Sequence, residues 1–360
     1  ASGNAPDMAS GVQASIPVEF AIRDAAVNLE EFDDFERIAK RFLPEALVPL
    51  KYRGGTYALP ETMTMQLLFY RKDIIEEYGI KVPDTWDDLC HNVLPVLYRN
   101  NMNFVYPSDY STFLYQYGGK FYTDDGFSSL LDSPEAYKSF IDFTFLYSGY
   151  GLDPINQSFY QKFRTGEIPM GIDNHMTYMN FLCAAPELSG RWGVAPIPGT
   201  RREDGTIDRS TGCMLSGQKS TTVTGITELS VMIFNNSDSI KQSAWEFIKW
   251  WTSDEVQTRF CEEVESNMTT FARWHTANLE AYKQIPWEKE HLSALTEQWK
   301  WYKGIPVVLG SYFTPRHLNN AWTDVILGDK IPRDALELAV KEINLEMRRK
   351  QEEYGIYAGD

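Results

Sequence analysis

LSVMIFNNSDSIKQSAWEFIKWW, residues Leu229 to Trp251, decides the fold class. Leu229 to Phe234 is the longest clean apolar run in the chain and reads as a short buried strand. From Ser239 the period changes to that of a helix. Ile240, Ala244, Phe247, Ile248 and Trp251 fall at i, i+4, i+7, i+8 and i+11, so this face is expected to be buried. A strand passing at once into an amphipathic helix is the unit from which α/β folds are built.

The same alternation recurs on both sides of this stretch. Phe104 to Tyr106 and Trp192 to Ile197 read as further strands. Ser133 is a natural N-cap, with Pro134 at the first helical position and Glu135 after it; Tyr137, Phe140, Ile141 and Phe145 then lie on one side of the helix. Thr85-Trp86-Asp87-Asp88 has the spacing of a capping box with Asp in place of Glu, and Pro95 would kink or end the helix it opens. A third helix runs from about Pro332 with the stripe Leu336, Val340, Ile343 and Met347. It ends in a basic last turn, Arg348 to Lys350, with Gly355 beyond it.

At 360 residues the chain exceeds usual single-domain size, so two lobes with separate cores are expected. Hydrophobic residues at 43% and charged residues at 23% are ordinary globular usage, which excludes a disordered or fibrous chain. Aromatic residues are abundant, at 20 Tyr, 20 Phe and 10 Trp, and their faces serve to stack on flat ligands and sugar rings as well as to fill cores. The 34 basic and 50 acidic residues give a formal charge of -16, which repels phosphate backbones and anionic headgroups and argues against nucleic acid as a partner. No apolar run approaches the roughly 20 residues that span a bilayer. No linker or repeat divides the chain, which suggests that it crosses between the lobes several times.

Several chemical motifs fail on inspection. GCMLSGQKS, Gly212 to Ser220, resembles a phosphate-binding loop, but Gln218 separates Gly217 from Lys219. No GxGxxG, GxSxG or HExxH occurs, and the five histidines are isolated in sequence. Cys90, Cys183, Cys213 and Cys261 lack metal-binding spacing; they read either as four small buried hydrophobes or as including one disulfide, Cys183 with Cys213. Asp124-Asp125-Gly126 reads as a hairpin turn and not as a calcium loop. Neither a metal nor a cofactor is indicated.

A set of phrases in order along the chain carries a family resemblance. These are GNAPDM (Gly3 to Met8), YALPETMTMQLLFYRKD (Tyr57 to Asp73), PDTWDDL (Pro83 to Leu89), FRTGEIPMGID (Phe163 to Asp173), WGVAPIPG (Trp192 to Gly199), AWEFIKWWTS (Ala244 to Ser253) and ALELAVKEIN (Ala335 to Asn344). Together they resemble the extracellular solute-binding proteins of ABC importers, in the carbohydrate-binding branch that includes maltodextrin-binding proteins. Arg71 stands where that family usually has Asn, and Pro169 where it has Ala. SYFTPR at Ser311 to Arg316 with the terminal RRKQEEYG resembles a Gram-positive subgroup. Family members carry a β-α-β-α stretch before the first phrase, so the first lobe is expected to be incomplete here.

The resemblance implies a two-lobed periplasmic-binding-protein-like fold of type II, with the ligand taken into a cleft by hinge closure. It places the first lobe at 1–60 plus 233–303 and the second at 65–227 plus 311–360. Hinges are expected near 61–64, 228–232 and 304–310. Ligand-lining positions by this resemblance are Glu61, Thr64 and Gln66 near the first hinge, Asp109 and Tyr110 after the Phe104 strand, Asp173, Asn174, His175 and Tyr178 after Met170 to Ile172, and Tyr312, Phe313 and Arg316 near the end. Tyr110, Tyr178, Tyr312 or Phe313 would stack on sugar rings. Asp109, Asp173, Asn174 and Arg316 would meet hydroxyls. Other readings remain open: an aromatic beside a strand can be core, Asp109 can cap the helix near Ser111, Asp173 with Asn174 can be a turn, and His175 can be structural. Met176 stands where well-known members have a stacking Trp.

The implied function is capture of a sugar or oligosaccharide for ABC-transporter uptake, without catalysis or cofactor, by a monomer that meets a membrane permease. The implied location is extracellular, with a lipid or wall anchor in a Gram-positive cell. Two alternatives are a carbohydrate-active enzyme, which needs two functional carboxylates, and a ligand-sensing domain coupled to a membrane partner.

Overall fold

Strands and helices alternate in the computed structural model, which describes residues 6–107, 109–154, 158–212 and 228–356. In chain order the strands used below are β1 (Met8–Gln13), β2 (Leu59–Pro60), β3 (Gln66–Arg71), β4 (Phe104–Val105), β5 (Met170–Asn174), β6 (Trp192–Ala195), β7 (Thr211–Gly212) and β8 (Leu229–Ile233). The helices are α1 (Tyr110–Gln116), α2 (Pro134–Ser148), α3 (Phe159–Thr165), α4 (His175–Ala184), α5 (Asp238–Trp251), α6 (Asp254–Met268), α7 (Thr314–Ile326) and α8 (Pro332–Tyr354). They divide into two units. Unit 1 is Ala1–Thr64, Ile226–Trp287 and Gly304–Val308; unit 2 is Met65–Gly225, Glu288–Lys303 and Leu309–Asp360. The segment 288–303, expected with the first lobe, belongs to unit 2.

Unit 1 is built on a three-stranded antiparallel sheet in the order β1-β8-β2, with Met8 opposite Ile233 and Leu59 opposite Val231. The stretch Leu229 to Phe234 is thus a strand, and Val231, Met232 and Ile233 are fully buried. Of the Gly3-to-Met8 phrase, residues 3–5 lie outside the described residues; Met8, its last residue, opens β1, which runs on to Gln13. It carries a bulge between Ala9 and Val12, where Gly11 has φ 70°. A left-handed residue in a strand is easiest for glycine.

Helix α5 begins at Asp238 after Ser237, one residue before the expected Ser239 start, and its buried face is not the one expected. Ala244 and Ile248 are buried as the period required, but Phe247 lies on the exposed side, and Trp245 takes the central core position. Trp245 stacks on Phe32 with centroids 4.7 Å apart and donates its indole N–H to Asp34 at 2.7 Å. The aromatics at 245, 247, 250 and 251 point round the whole helix, so period alone could not choose among them.

Unit 2 holds a four-stranded sheet in the order β4-β5-β3-β6. Strands β4 and β5 are parallel, and β3 runs antiparallel to both of its neighbours, β5 and β6. Leu67, Leu68 and Phe69 of β3 are completely buried, as a central strand covered on both faces requires. Ser133 caps α2 as expected, its hydroxyl accepting from the Ala136 N–H. The face differs: Phe140 is core, but Phe143 and Tyr147 complete the stripe, while Ile141 and Phe145 are exposed and Tyr137 is half-buried.

Other local signals are met. Thr85 and Asp88 form the reciprocal capping box, the Asp88 carboxylate accepting from the Thr85 N–H at 3.1 Å. Pro95 neither ends the helix nor leaves it regular. A π turn at Leu89–Val93 precedes it, and a new α segment starts at Leu94, so the missing proline N–H falls in a first turn where it has no partner to lose. Leu336, Val340, Ile343 and Met347 of α8 are all buried, and Gly355 ends the helix in the left-handed conformation. Arg348 to Lys350 lie before its last turn, since the helix runs on to Tyr354. Gly126, with φ 74°, donates to the Thr123 carbonyl inside the Tyr122–Ser129 antiparallel bridge, so Asp124-Asp125-Gly126 is a turn. Cys90 and Cys261 are buried thiols pushed up to about 12 by burial; Cys183 is exposed, and Cys213 lies outside the described residues. The remainder of the loop-like motif that follows Gly212 also lies outside them.

Candidate functional site

The parallel pairing of β4 and β5 places their carboxyl ends at one edge of the unit 2 sheet. From that edge the chain enters α1 after Asp109 and α4 after Asn174. Strand β3 runs the other way, so its first residue, Gln66, lies at the same edge and pairs with Asn174. Three elements far apart in sequence thus bring Gln66, Asp109 and Asn174 together, next to two helix N-termini. The carboxyl edge of parallel strands is where α/β sheets place ligands, because loops and helix starts present polar groups there.

Asp109 is fully buried, and every hydrogen bond to its carboxylate is internal. One oxygen, Oδ1, accepts from the Ser111 N–H at 2.9 Å and the Ser111 hydroxyl at 2.7 Å; the other, Oδ2, accepts from Gln66 Nε2 at 2.8 Å. Burial pushes its pKa up to about 6, opposed by these donors. Gln66 Oε1 accepts from the Thr112 hydroxyl at 3.5 Å, and the Thr112 and Thr211 hydroxyls are 3.3 Å apart. Asp109 is therefore the cap of α1, one of the two roles its position allowed. Asn174 caps α4, its side-chain oxygen accepting from the Met176 N–H at 2.9 Å. Asp173 is buried; it accepts from the Asn174 N–H at 2.8 Å and the Thr177 hydroxyl at 2.7 Å.

Two of the three tyrosines expected to stack on a ligand offer no open face. Tyr110 is core, edge-on to Phe140 at 5.2 Å, and donates its hydroxyl to the Ala136 carbonyl at 2.7 Å. Tyr178 is 1% exposed, edge-on to Trp192 at 5.1 Å, with its hydroxyl 2.9 Å from His291 Nδ1. Each follows a strand end by only a few residues, and its helix turns it away from the edge, Tyr110 against α2 and Tyr178 against Trp192 of β6. Tyr312 is different. It is 54% exposed, lies 4.1 Å from half-buried Phe313 in the turn before α7, and is followed by exposed Arg316. This pair keeps an accessible aromatic face. The His175 side chain lies outside the described residues.

In unit 1, Glu61 is buried beyond the end of β2 and accepts three hydrogen bonds of 2.6 Å, from the Ser10 hydroxyl, the Gly11 N–H and the Trp251 indole. It fastens the β1 bulge and the end of α5 to the chain just after β2. Thr64 is half-buried at the end of this part of unit 1. Ser10, Gly11, Ser111, Thr112, Thr177 and Thr211 were not singled out from the sequence. Only the Asp-x-Ser spacing at Asp109 and Ser111 carried a local signal, that of an Asx turn. Among the described residues no group of His, Cys, Asp and Glu is arranged to hold a metal ion, and no helix is long and apolar enough to cross a membrane.

With that geometry in hand, comparisons with known proteins are informative. The sequence profile of a family described as bacterial extracellular solute-binding protein matches residues 2–258. A binding protein of Brucella abortus strain 2308 is 25% identical over 284 residues, covering 71% of this chain and 62% of its own length. A binding protein of Brucella suis gives the same figures. The chain thus spans 62% of the length of the curated relatives it matches. Among solved structures, the sugar-binding protein MalE of Xanthomonas citri superposes with TM-score 0.75 at 18% identity, covering 98% of this chain and 87% of that one. An ABC-transporter solute-binding protein of Thermotoga lettingae bound to α-D-tagatose gives 0.68 at 21% identity, covering 96% and 86%. Maltose-bound MalE of Listeria monocytogenes gives 0.70 at 18%, covering 97% and 86%. At these identities the likeness shows a shared α/β binding-protein fold.

Proposed function

Because the chain belongs to the family of bacterial extracellular solute-binding proteins, we propose that it captures a sugar or oligosaccharide outside the cell for uptake by an ABC transporter and catalyses no reaction. The observation that carries this reading is the convergence of Gln66, Asp109 and Asn174 at the carboxyl edge of β4 and β5, beside two helix starts. The buried Gln66–Asp109 pair fixes this edge, half-buried Asn174 supplies an amide of the kind that meets a ligand hydroxyl, and Tyr312 with Phe313 supplies a flat apolar face for a ring. That several neighbours of the fold are sugar-binding proteins supports the ligand class.

The segments 61–64, 228–232 and 304–310 would serve as hinges, and a membrane permease would receive the loaded monomer. Attachment to a Gram-positive cell surface belongs to the same proposal. Thr64, Asn174, Tyr312, Phe313 and Arg316 are the residues proposed to meet the ligand. Glu61, Gln66, Asp109 and Asp173 would hold their surroundings in shape.

A thermal-shift screen against mono- and oligosaccharides tests the reading. A ligand that binds only the folded chain raises stability by RT ln(1 + [L]/Kd), about 2.7 kcal/mol at one hundred times Kd. A saturable rise with one sugar class, reduced in Tyr312→Ala, is the expected result. Turnover of a glycoside that is lost on replacing one carboxylate would overturn it.

A further inference from the structure

Two hydrogen bonds at the unit 2 sheet edge run in line through the Gln66 amide. The Thr112 hydroxyl donates to Gln66 Oε1, and Gln66 Nε2 donates to Asp109 Oδ2. The other carboxylate oxygen, Oδ1, is occupied by the two donors of Ser111. We propose that Asp109 is the positioning residue of this edge: the protonation state of its carboxyl decides which end of the Gln66 amide faces Thr112 and Thr211, and with it the hydrogen-bonding polarity of the site. This inference rests on the proposal that the edge binds a hydroxylated ligand.

The argument follows from which groups donate. An ionised carboxylate only accepts, so Gln66 must turn its NH₂ toward Asp109 and its carbonyl toward Thr112. A proton on Oδ2 makes that oxygen a donor, and two donors would then face each other. The amide turns over, its carbonyl accepts from Asp109, and its NH₂ points at Thr112, which becomes an acceptor and gives its own proton to Thr211. One proton taken up from solvent thereby reverses both hydrogen bonds of the Gln66 amide and redirects the Thr112 hydroxyl toward Thr211, whose own proton goes to the Gly212 carbonyl, without moving the backbone. The buried carboxyl, with its pKa raised to about 6, makes the change near neutral pH.

The ionisable groups around it are few. Tyr106 donates its hydroxyl to the Asp109 carbonyl at 2.7 Å, and Tyr147 of α2 is near enough to act on the carboxylate; burial holds both phenols well above their ordinary value, so both stay neutral. Asp173 of β5 pairs in register with Leu67, one step from Gln66, and is bonded to Thr177. Gln66, Ser111, Thr112 and Thr211 do not titrate. His175 follows Asn174 and carries a titratable ring, so it needs its own control.

The experiment is side-chain ¹⁵N NMR of the whole chain labelled at glutamine, from about pH 4.5 to about pH 8, around the ordinary carboxyl and histidine range. The Gln66 NH₂ pair is identified by its loss in Gln66→Glu. The expected result is a single titration of that pair with a midpoint near 6. It should be absent in Asp109→Asn, whose amide mimics the protonated acid and should hold the pair at its low-pH position throughout. Ser111→Ala removes one donor to the carboxylate and should move the midpoint upward, which keeps the test decisive if Asp109→Asn does not fold. A Gln66 pair that stays still between those limits, or a titration that disappears in His175→Gln, overturns the proposal. Thermal shifts with maltose and maltotriose at both pH extremes separate the two claims. A sugar effect that depends on pH in the wild type but not in Asp109→Asn extends the proposal to ligand binding. A titrating Gln66 with no response to any sugar leaves the polarity switch standing and overturns the ligand reading on which its role depends.

Discussion

Glu61 illustrates how a charged side chain becomes part of a core at the scale of a single residue. Its carboxylate accepts from the hydroxyl of Ser10 and the main-chain N–H of Gly11, both exposed residues, and from the indole N–H of half-buried Trp251, so Glu61→Ala would strand the indole donor and leave the other two to water. We expect a loss of about 1.5 to 3 kcal/mol by urea unfolding, the size of one hydrogen bond to a charged group, since water takes up the other two donors. Asp109 acts in the opposite sense. Its folded-state pKa, raised to about 6, lies above the ordinary 3.8, so between these values the folded chain holds a proton that the unfolded chain has released. Its contribution to stability is therefore full below the lower value and is lost as pH rises through about 6. The stability difference between wild type and Asp109→Asn, compared at both ends of that window, should change in favour of wild type on acidification; no change would remove the raised carboxyl from the account. Glu265, held below its ordinary range by Arg273, has the reverse dependence, which is why the difference and not the absolute stability is the measure.

At the scale of elements, helix starts were legible and helix faces were only partly so. The Thr85 capping box and the Ser133 N-cap are local: a side chain and a main-chain N–H two or three residues on settle them without help from elsewhere. Which side of α5 and α2 turns inward depends on what waits there, and Phe32 and Asp34 select Trp245 over Phe247. Trp245→Ala should cost about 3 to 5 kcal/mol, as large aromatic-to-Ala changes in cores do, and Phe247→Ala should stay near 0.5 kcal/mol, as exposed substitutions do. A reversed order in thermal denaturation would restore the expected face. In α8 the expected stripe is buried, so Ile343→Ala should cost about 2 to 5 kcal/mol while exposed Leu338→Ala stays near 0.5 kcal/mol. The stripe could be read because the other side of α8 is mostly charged, with Leu338 and Leu345 as isolated apolar exceptions.

For the whole molecule, the formal charge of -16 leaves a self-repulsion that salt should relieve. Raising ionic strength from about 0.01 M to about 0.15 M shortens the screening length from about 30 Å to about 8 Å, so the melting temperature should rise. A fall would mean that attractive pairs such as Arg273–Glu265 outweigh the net repulsion. Fold class, the order of strands and helices, most caps and the family were determined by the sequence alone, because hydrophobic period, cap spacing and ordered motifs are properties of neighbouring residues. The tertiary structure decided the rest. That Gln66 meets Asp109 follows from β3 running against β4 and β5, and that Tyr110 and Tyr178 are core follows from what packs on them, α2 on the first and Trp192 of β6 on the second. Residues 43 positions apart carry no signal of their meeting, since the hydrogen bond between them exists only once the strands have paired.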